Sequence, residues 1–564
     1  MIFIQFVFIC LSTWILQSHC LNVLFVVDGA AGHLTPVLEL AKAMKNHNIT
    51  FLTQQLARIY TDLNSYSSPR FRVIYANDTI DGFLREKYFV EQEVINFANH
   101  SVLNALPEIV SLAGDIFSEL LNKTIHVLMH ERFDVIVAGQ MIFGISLLCN
   151  KISTPCVIQD AVHPLSFLNL NSPNEFASLT TKEMSQFKYR IYNLAFTVHA
   201  TTRIITKLVP AVYTLFQSLP QIPGPFYDAF TLKNILSSRS KQLHLISLPS
   251  SFPMSVSPTP YKKYLGAFID ETSIGDDNST LITWIKSKPI SSIVYGAFGS
   301  TSFIFYDRMY SLISGLAMFL LQTEDSFLLL AFQNANYDTY QAVLNNLPDV
   351  RYRQILKNEE RVRIKQGFVK QKMILQQPTV KIFLSHCGMG SCIEGLYFRK
   401  PIICMPFNVD QFYNSRSIEN FKLGQSLFIP PSRLQTMQSL GHFTTYTFTS
   451  ESVSDKLMTI WTNPTYERAA EHISLEMKHA GGLKRAVEEI EFFVSLNGDL
   501  DRFTPFPDTL RFYQQYCLDL LFVAIILPLM IVSFQIENFL AKFYNFQRIA
   551  LCSDDQTVHP IVWL

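Results

Sequence analysis

Short apolar runs that end in glycine-rich or polar turns recur along the whole chain. Each run is continuous rather than alternating, and helix-like segments separate consecutive runs. Strands that are buried on both faces of a parallel sheet have this composition, whereas strands with one solvated face alternate. The pattern therefore predicts an α/β protein. The runs interpreted as strands are Leu21–Val27, Ile49–Thr53, Phe133–Ala138, Leu243–Leu248, Ser291–Phe298, Phe327–Phe332, Lys381–Ser385 and Ile402–Met405.

Helices are predicted between and after these strands. Pro36 suits the first turn of a helix, so the first helix is predicted to start at Thr35 and to run through Met44. Because it joins two predicted strands, this segment indicates a right-handed βαβ unit. Another helix is predicted to begin near Cys392. Further helical segments are Phe187–Phe196, Tyr466–Lys478 and Lys484–Phe493.

A change in composition divides the chain into two halves. The segment Pro249–Pro260 contains four prolines and several serines, and Asp270–Ser279 is polar. Clusters of these residue types mark loops between packed elements. We therefore predict an N-terminal Rossmann-like domain at residues 21–270 and a C-terminal one at residues 285–500.

Both ends of the chain are hydrophobic. Ile2–Leu16 is apolar and small residues follow it, so residues 1–20 are predicted to be a cleaved signal peptide rather than an uncleaved anchor. Near the other end, Tyr516–Phe534 is almost entirely apolar and is long enough to cross a bilayer. We predict a transmembrane helix at residues 516–536 and a cytoplasmic tail at residues 537–564, with a buried core helix as the alternative.

Five Asn-X-Ser/Thr sequons precede the C-terminal hydrophobic segment. Asparagines in this context can carry glycans when the chain enters a secretory lumen. Together with the two hydrophobic ends, they predict a single-pass type I membrane protein whose body is luminal. The sequons are at Asn48, Asn77, Asn99, Asn122 and Asn278.

Charge and cysteine content exclude several classes of protein. The 564-residue chain has a formal net charge of +0, which favours neither a nucleic-acid partner nor an acidic one. Its nine cysteines are scattered and include no CxxC pair, so no zinc site is expected. A disulfide framework is not expected either in a chain of this length.

Two strand-to-helix turns carry the candidate chemistry. In the first, His33 follows a buried strand and faces the crevice of a parallel sheet, where it can accept a proton from a hydroxyl group. The alternative is a histidine that caps the helix. In the second, residues 386–391 contain two glycines and open a helix, which favours phosphate binding through backbone N–H groups and the helix dipole. Ligands of open α/β sheets bind at these carboxyl ends of the strands.

A dinucleotide-binding enzyme is a rival interpretation of the first turn. Residues 28–33 read DGAAGH and lack the GxGxxG spacing of that class. The residues after the second strand, Thr53, Gln54 and Gln55, offer no carboxylate to hold a ribose. Both features disfavour a nicotinamide dehydrogenase.

The order of residues from 366 to 414 resembles the donor-binding signature of the UDP-sugar glycosyltransferases. This family contains the animal membrane-bound UDP-glucuronosyltransferases and the plant UDP-glucosyltransferases. The stretch GAAGHLTPVLELAKAM is similar to the family's GHxxP start, whose histidine is the general base. The residues that carry the donor resemblance are Gln371, Leu375, Pro378, Phe383, His386, Gly388, Ser391, Glu394, Pro401, Pro406, Asp410, Gln411 and Asn414.

The resemblance implies a role for each matching residue, with His33 as the catalytic base. Phe368 would stack on uracil and Gln371 would bond it, while Glu394 would hold two ribose hydroxyls. No cofactor besides the UDP-sugar donor and no metal is implied, because the helix dipole and His386 would stand in for a cation. The remaining donor residues would be Ser300, His386 and Ser391 at the diphosphate, Gly388 and Gly390 beside it, Asp410 and Gln411 at the sugar, and Asn414 supporting that loop.

Three positions in the donor signature depart from the family pattern. Phe368 replaces the usual Trp, and its ring can still stack. Lys370 replaces a Pro, and Gly390 replaces an Asn, which removes one polar contact near the phosphate or sugar.

A fourth departure concerns the partner of the catalytic histidine. The family has an Asp after its fourth strand that orients this histidine, and Gly139 occupies the matching position here. Asp134 lies too early on the strand, and Gln140 cannot offset a developing imidazolium charge. Catalysis then requires a more acidic acceptor or another carboxylate such as Asp160. A protein that binds UDP-sugar without turnover is the alternative.

The family resemblance implies a GT-B fold, with two Rossmann-like domains facing a cleft and one C-terminal transmembrane helix. It implies inverting transfer of glucuronic acid or glucose from a UDP-sugar to the hydroxyl of a small lipophilic acceptor. The aromatic-rich segment 164–230 would build the acceptor pocket. Residence in the endoplasmic reticulum membrane is expected from the same resemblance, which also allows a homo-oligomer.

Overall fold

The computed structural model forms two compact units, residues 1–500 and residues 501–564, which are described separately. The predicted signal peptide, apart from Cys20, and the sequons at Asn77, Asn99 and Asn278 lie outside the described residues. The structure describes residues 20–76, 119–142, 144–149, 152, 154–162, 173–174, 177–218, 242–252, 259–274, 279–299, 302–407, 410–439, 446–500, 514 and 518–552.

The described residues of the first unit form two parallel sheets, and the N-terminal one has seven strands over these residues. Their spatial order is β3-β2-β1-β4-β5-β6-β7, and all neighbours pair in parallel. The predicted apolar run Leu21–Val27 contains β1, in which four of the five residues are buried, as expected for a strand covered on both faces. The strands are β1 Asn22–Val26, β2 Asn48–Gln54, β3 Phe71–Ala76, β4 Val135–Gly139, β5 Cys156–Asp160, β6 Leu243–Ile246 and β7 Lys262–Tyr264.

The second sheet has six strands in the order β10-β9-β8-β11-β12-β13, again all parallel. This is the strand order of a doubly wound dinucleotide-binding sheet, and the first six strands of the N-terminal sheet follow the same order. The strands are β8 Ile293–Ala297, β9 Phe327–Phe332, β10 Val362–Gln366, β11 Val380–Ser385, β12 Ile402–Cys404 and β13 Gly424–Ser426.

Helices cover both faces of the sheets. Short 3₁₀ turns occupy Gln55–Ile59, Leu63–Tyr66 and Glu271–Ser273. The helices of this unit are α1 Ala31–Ala43, α2 119–130, α3 Ile145–Cys149, α4 Thr181–Met184, α5 Phe187–Ser218, α6 Thr280–Lys286, α7 Tyr306–Gln322, α8 Asn334–Asn346, α9 Val350–Leu356, α10 Gln371–Leu375, α11 Met389–Tyr397, α12 Asp410–Asn420, α13 Arg433–Ser439, α14 Ser450–Thr462, α15 Thr465–His479 and α16 Gly482–Ser495.

The helices that follow the two candidate strand-to-helix turns begin earlier than predicted. Helix α1 starts at Ala31 rather than Thr35, because the carbonyl of Ala30 already accepts hydrogen bonds from the N–H groups of His33 and Leu34. Pro36 therefore lies inside the helix. Helix α11 likewise starts at Met389 rather than near Cys392. His33 is thus part of the first helical turn.

The last helix of the first unit packs on the N-terminal sheet. Ala486, Ile490 and Phe493 of α16 are buried in the same core as Val23 and Phe25 of β1. The predicted C-terminal domain, residues 285–500, therefore includes one helix whose apolar face completes the other domain's core.

The described residues include two disulfides, although no disulfide framework was expected from the sequence. Cys149 at the end of α3 is bonded to Cys156 at the start of β5. Cys387, immediately after β11, is bonded to Cys404, the last residue of β12. β11 and β12 are paired neighbours, so the second bond joins the carboxyl ends of adjacent strands. It ties the turn after β11 to the sheet.

The second unit contains one long helical segment. It runs from Leu518 through a π-helical turn at Phe522–Ile526 to Cys552. The part from Asp519 to Lys542 is long and apolar enough to cross a membrane. The helix extends past residue 536, the predicted end of the span, into the predicted tail.

Candidate active site

The candidate residues lie at the switch point of each sheet. In both sheets the first and fourth strands of the Rossmann-like order are neighbours, namely β1 with β4 and β8 with β11. Connections leave these strands in opposite directions, which opens a crevice at their carboxyl ends. His33 follows β1 and His386 follows β11, so both histidines lie at such a crevice.

His33 is paired with Asp28. The imidazole Nδ1 lies 3.0 Å from Oδ1 and 3.1 Å from Oδ2 of the carboxylate. Asp28 is buried, whereas the His33 side chain retains 29% of its exposure. With Nδ1–H donating to Asp28, the other ring nitrogen, Nε2, has its lone pair available as a proton acceptor.

The backbone of the β1–α1 turn fixes the position of Asp28. The N–H of Ala30 donates to Asp28 Oδ1 at 3.0 Å, and the N–H of Gly29 donates to Gln54 Oε1 at 3.0 Å. A Cβ on Gly29 would lie 2.8 Å from Cβ of Leu56, so only glycine fits where the turn passes the chain after β2. The carboxylate is therefore held in place by local structure rather than only by the imidazole.

The net effect of this environment is to raise the pKa of His33 above its ordinary value of 6.5. Burial alone acts to lower the pKa of the ring, since it disfavours the charged form. The charge and the hydrogen bond of Asp28 outweigh burial, and the charge of Asp410 adds to them. The pair therefore stabilises the imidazolium that proton abstraction would create.

The carboxylates considered from the sequence have other partners. Asp160 bonds Nδ1 of His244 at 2.8 Å, and Asp134 accepts from the N–H of Asn22 at 2.7 Å. Gly139 ends β4, and a Cβ there would lie 3.2 Å from Cγ2 of Val27. Asp160 is thus not the substitute for the family's Asp, and sequence reasoning missed Asp28. Its signal was a carboxylate at a strand end, in the same turn as the histidine.

The second turn encloses His386 between two glycines. A Cβ on Gly299 would lie 2.7 Å from the imidazole Nε2, and one on Gly388 would lie 2.5 Å from it. Burial lowers the pKa of His386 to about 4, so this ring is neutral at physiological pH. That the helix dipole and His386 together stand in for a cation stays a prediction. A neutral ring offers a hydrogen bond at most.

Helix α11 presents its N-terminal turn at the same place. Gly388 is the N-cap residue and has no side chain with which to cap the helix, while the carboxylate of Asp410 accepts from the N–H of Met389, the first residue of α11. A Cβ on Gly390 would meet nothing within 4 Å, so the space beside this residue is open. Ser300, the other predicted diphosphate contact, lies outside the described residues. A helix N-terminus whose N-cap residue is glycine and that lies beside open space suits an anion.

Helix α10 brings the predicted ribose and base contacts together. Gln371 Nε2 donates to Glu394 Oε2 at 2.7 Å and lies 3.3 Å from Ser391 Oγ. Burial raises the pKa of Glu394, which the charge of Lys372 partly offsets. Phe368 is 51% exposed, and its ring meets that of Tyr60, which follows the 3₁₀ turn after β2, edge to face with centroids 5.2 Å apart. About half of the Phe368 surface is therefore accessible to a ligand.

Asp410 and Asn414 lie on one face of α12. Asn414 Nδ2 donates to Asp410 Oδ2 at 2.8 Å and to the carbonyl of Cys387 at 3.0 Å. Asp410 also accepts from the backbone N–H of Met389, while burial raises its pKa. Gln411 is buried with Oε1 accepting from the N–H of Phe407 at 2.9 Å, so that oxygen holds the loop.

Charges on the two domains interact across the site. The charge of Asp410, on α12, acts to raise the pKa of His33, on α1, and the charge of His33 acts to lower the pKa of Asp410. Among the described residues, no group of three or more His, Cys, Asp or Glu side chains could hold a metal ion. The arrangement can abstract a proton at His33 and bind a nucleotide diphosphate at α11.

Comparison with known proteins agrees with this architecture. The structure has the GT-B glycosyltransferase fold, as shown by a kitacinnamycin glycotransferase (TM-score 0.56, 14% identity) that matches over 84% of this chain and 100% of its own. The structure of LpCGTa in complex with UDP has a TM-score of 0.50 at 17% identity, over 85% of this chain and 100% of the other.

The family model of UDP-glucoronosyl and UDP-glucosyl transferases matches residues 338–550. A flavanone 7-O-glucoside 2''-O-beta-L-rhamnosyltransferase from Citrus maxima is 32% identical over 31% of this chain, and UDP-glycosyltransferase 76E1 from Solanum lycopersicum is 21% identical over 72%. The first match covers 37% of that relative's length and the second 80%. The second half of the chain therefore carries the sequence features of UDP-glycosyltransferases.

Proposed function

We propose that this protein transfers a hexosyl group, glucose or glucuronic acid, from a UDP-sugar to a hydroxyl of a small lipophilic acceptor, with inversion at the anomeric carbon. The whole chain would then be a membrane-bound member of the UDP-glycosyltransferase family. The match of residues 338–550 and the GT-B fold support this proposal.

The observation that carries the proposal is the Asp28–His33 pair at the switch point of the N-terminal sheet. Nε2 of His33 would take the acceptor proton as the acceptor oxygen attacks the anomeric carbon. The bond from that carbon to the diphosphate oxygen breaks at the same time, and its electron pair leaves with UDP. Asp28 stabilises the imidazolium, which is the role of the carboxylate in other histidine dyads.

The donor would lie across the C-terminal switch point. Uracil would stack on the ring of Phe368, and the ribose hydroxyls would donate to Glu394. The N-terminal turn of α11 would stabilise the charge that develops on the departing UDP, since oriented N–H groups there require no reorganisation. Asp410 would accept from sugar hydroxyls, facing His33.

The cellular location is part of the same proposal. The two disulfides suit an oxidising compartment, and the sequons suit the same one. We place the body of the protein in the lumen of the endoplasmic reticulum, with Asp519–Lys542 crossing the membrane.

The test is UDP release by the full-length protein in membranes. UDP-glucose and UDP-glucuronic acid are each supplied with a panel of phenols and steroids, and His33→Ala is assayed beside the wild type. We expect turnover with one donor, its loss in His33→Ala, and unchanged UDP binding in that variant. An α-linked product would contradict single displacement. UDP binding without release on any acceptor would favour the donor-binding protein that Gly139 suggests.

A further inference from the structure

A largely buried ion pair connects a helix of the N-terminal domain with a helix of the C-terminal domain. Nζ of Lys372 on α10 lies 2.7 Å from Oε1 of Glu39 on α1, and the two side chains are 20% and 6% exposed. Lys42, one turn further along α1, lies 3.2 Å from the same oxygen. The pair thus connects the helix that begins beside His33 with the helix that begins at Gln371.

Each partner of the pair lies close in sequence to a proposed site residue. Glu39 lies on the same helix as His33, six positions further on. Lys372 directly follows Gln371, whose amide holds Glu394 at 2.7 Å. A displacement of α1 relative to α10 would therefore displace the proposed base relative to the proposed donor contacts.

Both charges of the pair also act on Glu394. Oε2 of Glu39 is buried and has no hydrogen-bond partner among the described residues. The charge of Lys372 acts to lower the pKa of Glu394, while that of Glu39 acts to raise it. Lys372 thus interacts with two carboxylates: it pairs with Glu39 of the N-terminal domain, and its charge acts on Glu394 of the C-terminal domain. Replacing Glu39 removes the carboxylate that Lys372 pairs with across the domain boundary, whereas replacing Lys42 leaves that pair in place.

We propose that Glu39 and Lys372 are positioning residues that fix the distance between His33 and the bound donor. This inference rests on the proposed glycosyl transfer. Neither side chain touches a reacting atom. A displacement of about 1 Å in a reacting group can lower the rate about 100-fold, so the pair acts on turnover more than on nucleotide affinity.

Steady-state kinetics of Glu39→Gln separates positioning from binding. We expect kcat to fall about 10- to 100-fold, with the KM for UDP-sugar and the Kd for UDP within about threefold of wild type. Lys42→Met is the matched control, because it removes a contact to Glu39 inside α1 and leaves the contact between the sheets; its kcat should stay within about twofold of wild type. Equal kcat values for Glu39→Gln and Lys42→Met would overturn the proposal.

Hydrogen exchange tests the coupling without turnover. Saturating UDP should slow amide exchange in residues 31–43 of the wild-type protein, because UDP orders Gln371 and Glu394 and the ion pair transmits that order. The protection should be lost in Glu39→Gln and kept in Lys42→Met. Protection in all three proteins would overturn the positioning role. A wild type that shows this protection but releases no UDP would refute the glycosyl transfer and leave the coupling standing.

Discussion

Asp28→Asn is the most direct test of the histidine dyad. Asn preserves the size of the side chain, and its Oδ1 can still accept from the N–H of Ala30, which now lies 3.0 Å from Asp28 Oδ1. The remaining amide then points an N–H₂ donor at His33 Nδ1. That nitrogen must become the acceptor, so the proton moves to Nε2 and the base is lost. The substitution thus reverses the tautomer while keeping the fold of the turn.

The expected loss of activity follows from two effects. The wrong tautomer lowers kcat about 10⁴-fold in the serine-protease dyad, where the geometry is comparable. Here we expect a loss of about 10³- to 10⁴-fold, equivalent to about 4–5.5 kcal/mol of transition-state stabilisation. The upper value applies if Asp28 also provides all of the charge that stabilises the imidazolium.

The pH dependence of activity tests the dyad independently of the size of the rate loss. The reactive form of His33 is neutral, so activity should rise with pH through a pKa above 6.5 in the wild type. Asp28→Asn removes the main influence that raises this pKa and leaves the opposing effect of burial. The acidic limb of kcat/KM should therefore move to lower pH even as the maximum rate falls.

The assay is UDP release from pH 5 to 9 at saturating donor, with UDP affinity measured separately. Asp62→Asn is the matched control, because Asp62 is an exposed carboxylate whose Oδ1 accepts from the N–H of Asn64 in a comparable local bond at 3.2 Å. Asp28→Asn activity within about threefold of wild type, with an unchanged acidic limb, would refute the dyad.

Three further predictions concern residues around the crevices. Gly139→Asp should change kcat less than about threefold, because His33 already has a carboxylate partner. The Cβ of the new side chain would also lie 3.2 Å from Cγ2 of Val27. A large gain in UDP release would show that Asp28 does not fill the role of that partner. Gly390→Ala should raise the free energy of unfolding by about 0.5–1 kcal/mol, because a helical glycine is replaced where space is open, while the KM for donor rises; denaturant titration and kinetics measure both, and an unchanged KM would argue against diphosphate beside Gly390. Cys404→Ala should lower the unfolding free energy by about 3 kcal/mol and Cys149→Ala by about 2 kcal/mol, given separations of 17 and 7 residues; the reverse order in urea titrations would contradict the loop-closure argument.

The sheets could be predicted from the sequence because their strands are continuous apolar runs. The run Phe327–Phe332 coincides with β9, and Lys381–Ser385 falls within β11. Helix starts were less predictable. Ala30 caps α1 without a side-chain hydrogen bond, so the sequence offered no polar residue to mark that end.

The disulfides and the dyad were missed for a related reason. Cys387 and Cys404 are 17 residues apart, yet they lie at the adjacent carboxyl ends of two neighbouring parallel strands. Asp28 is five residues from His33, in the same turn, whereas the family pattern has its carboxylate after the fourth strand. The adjacency of strand ends was the missing information for the disulfide, and the conformation of the β1–α1 turn was the missing information for the dyad.

The position of Asp28 also explains how a dyad can persist with glycine after β4. β1 and β4 are paired neighbours with Val26 opposite Ala138, which places Val27 beside Gly139. Asp28 is the next residue of the first strand's turn, so its carboxylate enters the same crevice from the adjacent strand. From that strand the Asp28 carboxylate reaches Nδ1 of His33, which lies in the first turn of α1. What the reaction requires is the charge at Nδ1 rather than the strand that supplies it, and this is why Gly139 alone is weak evidence for lost catalysis.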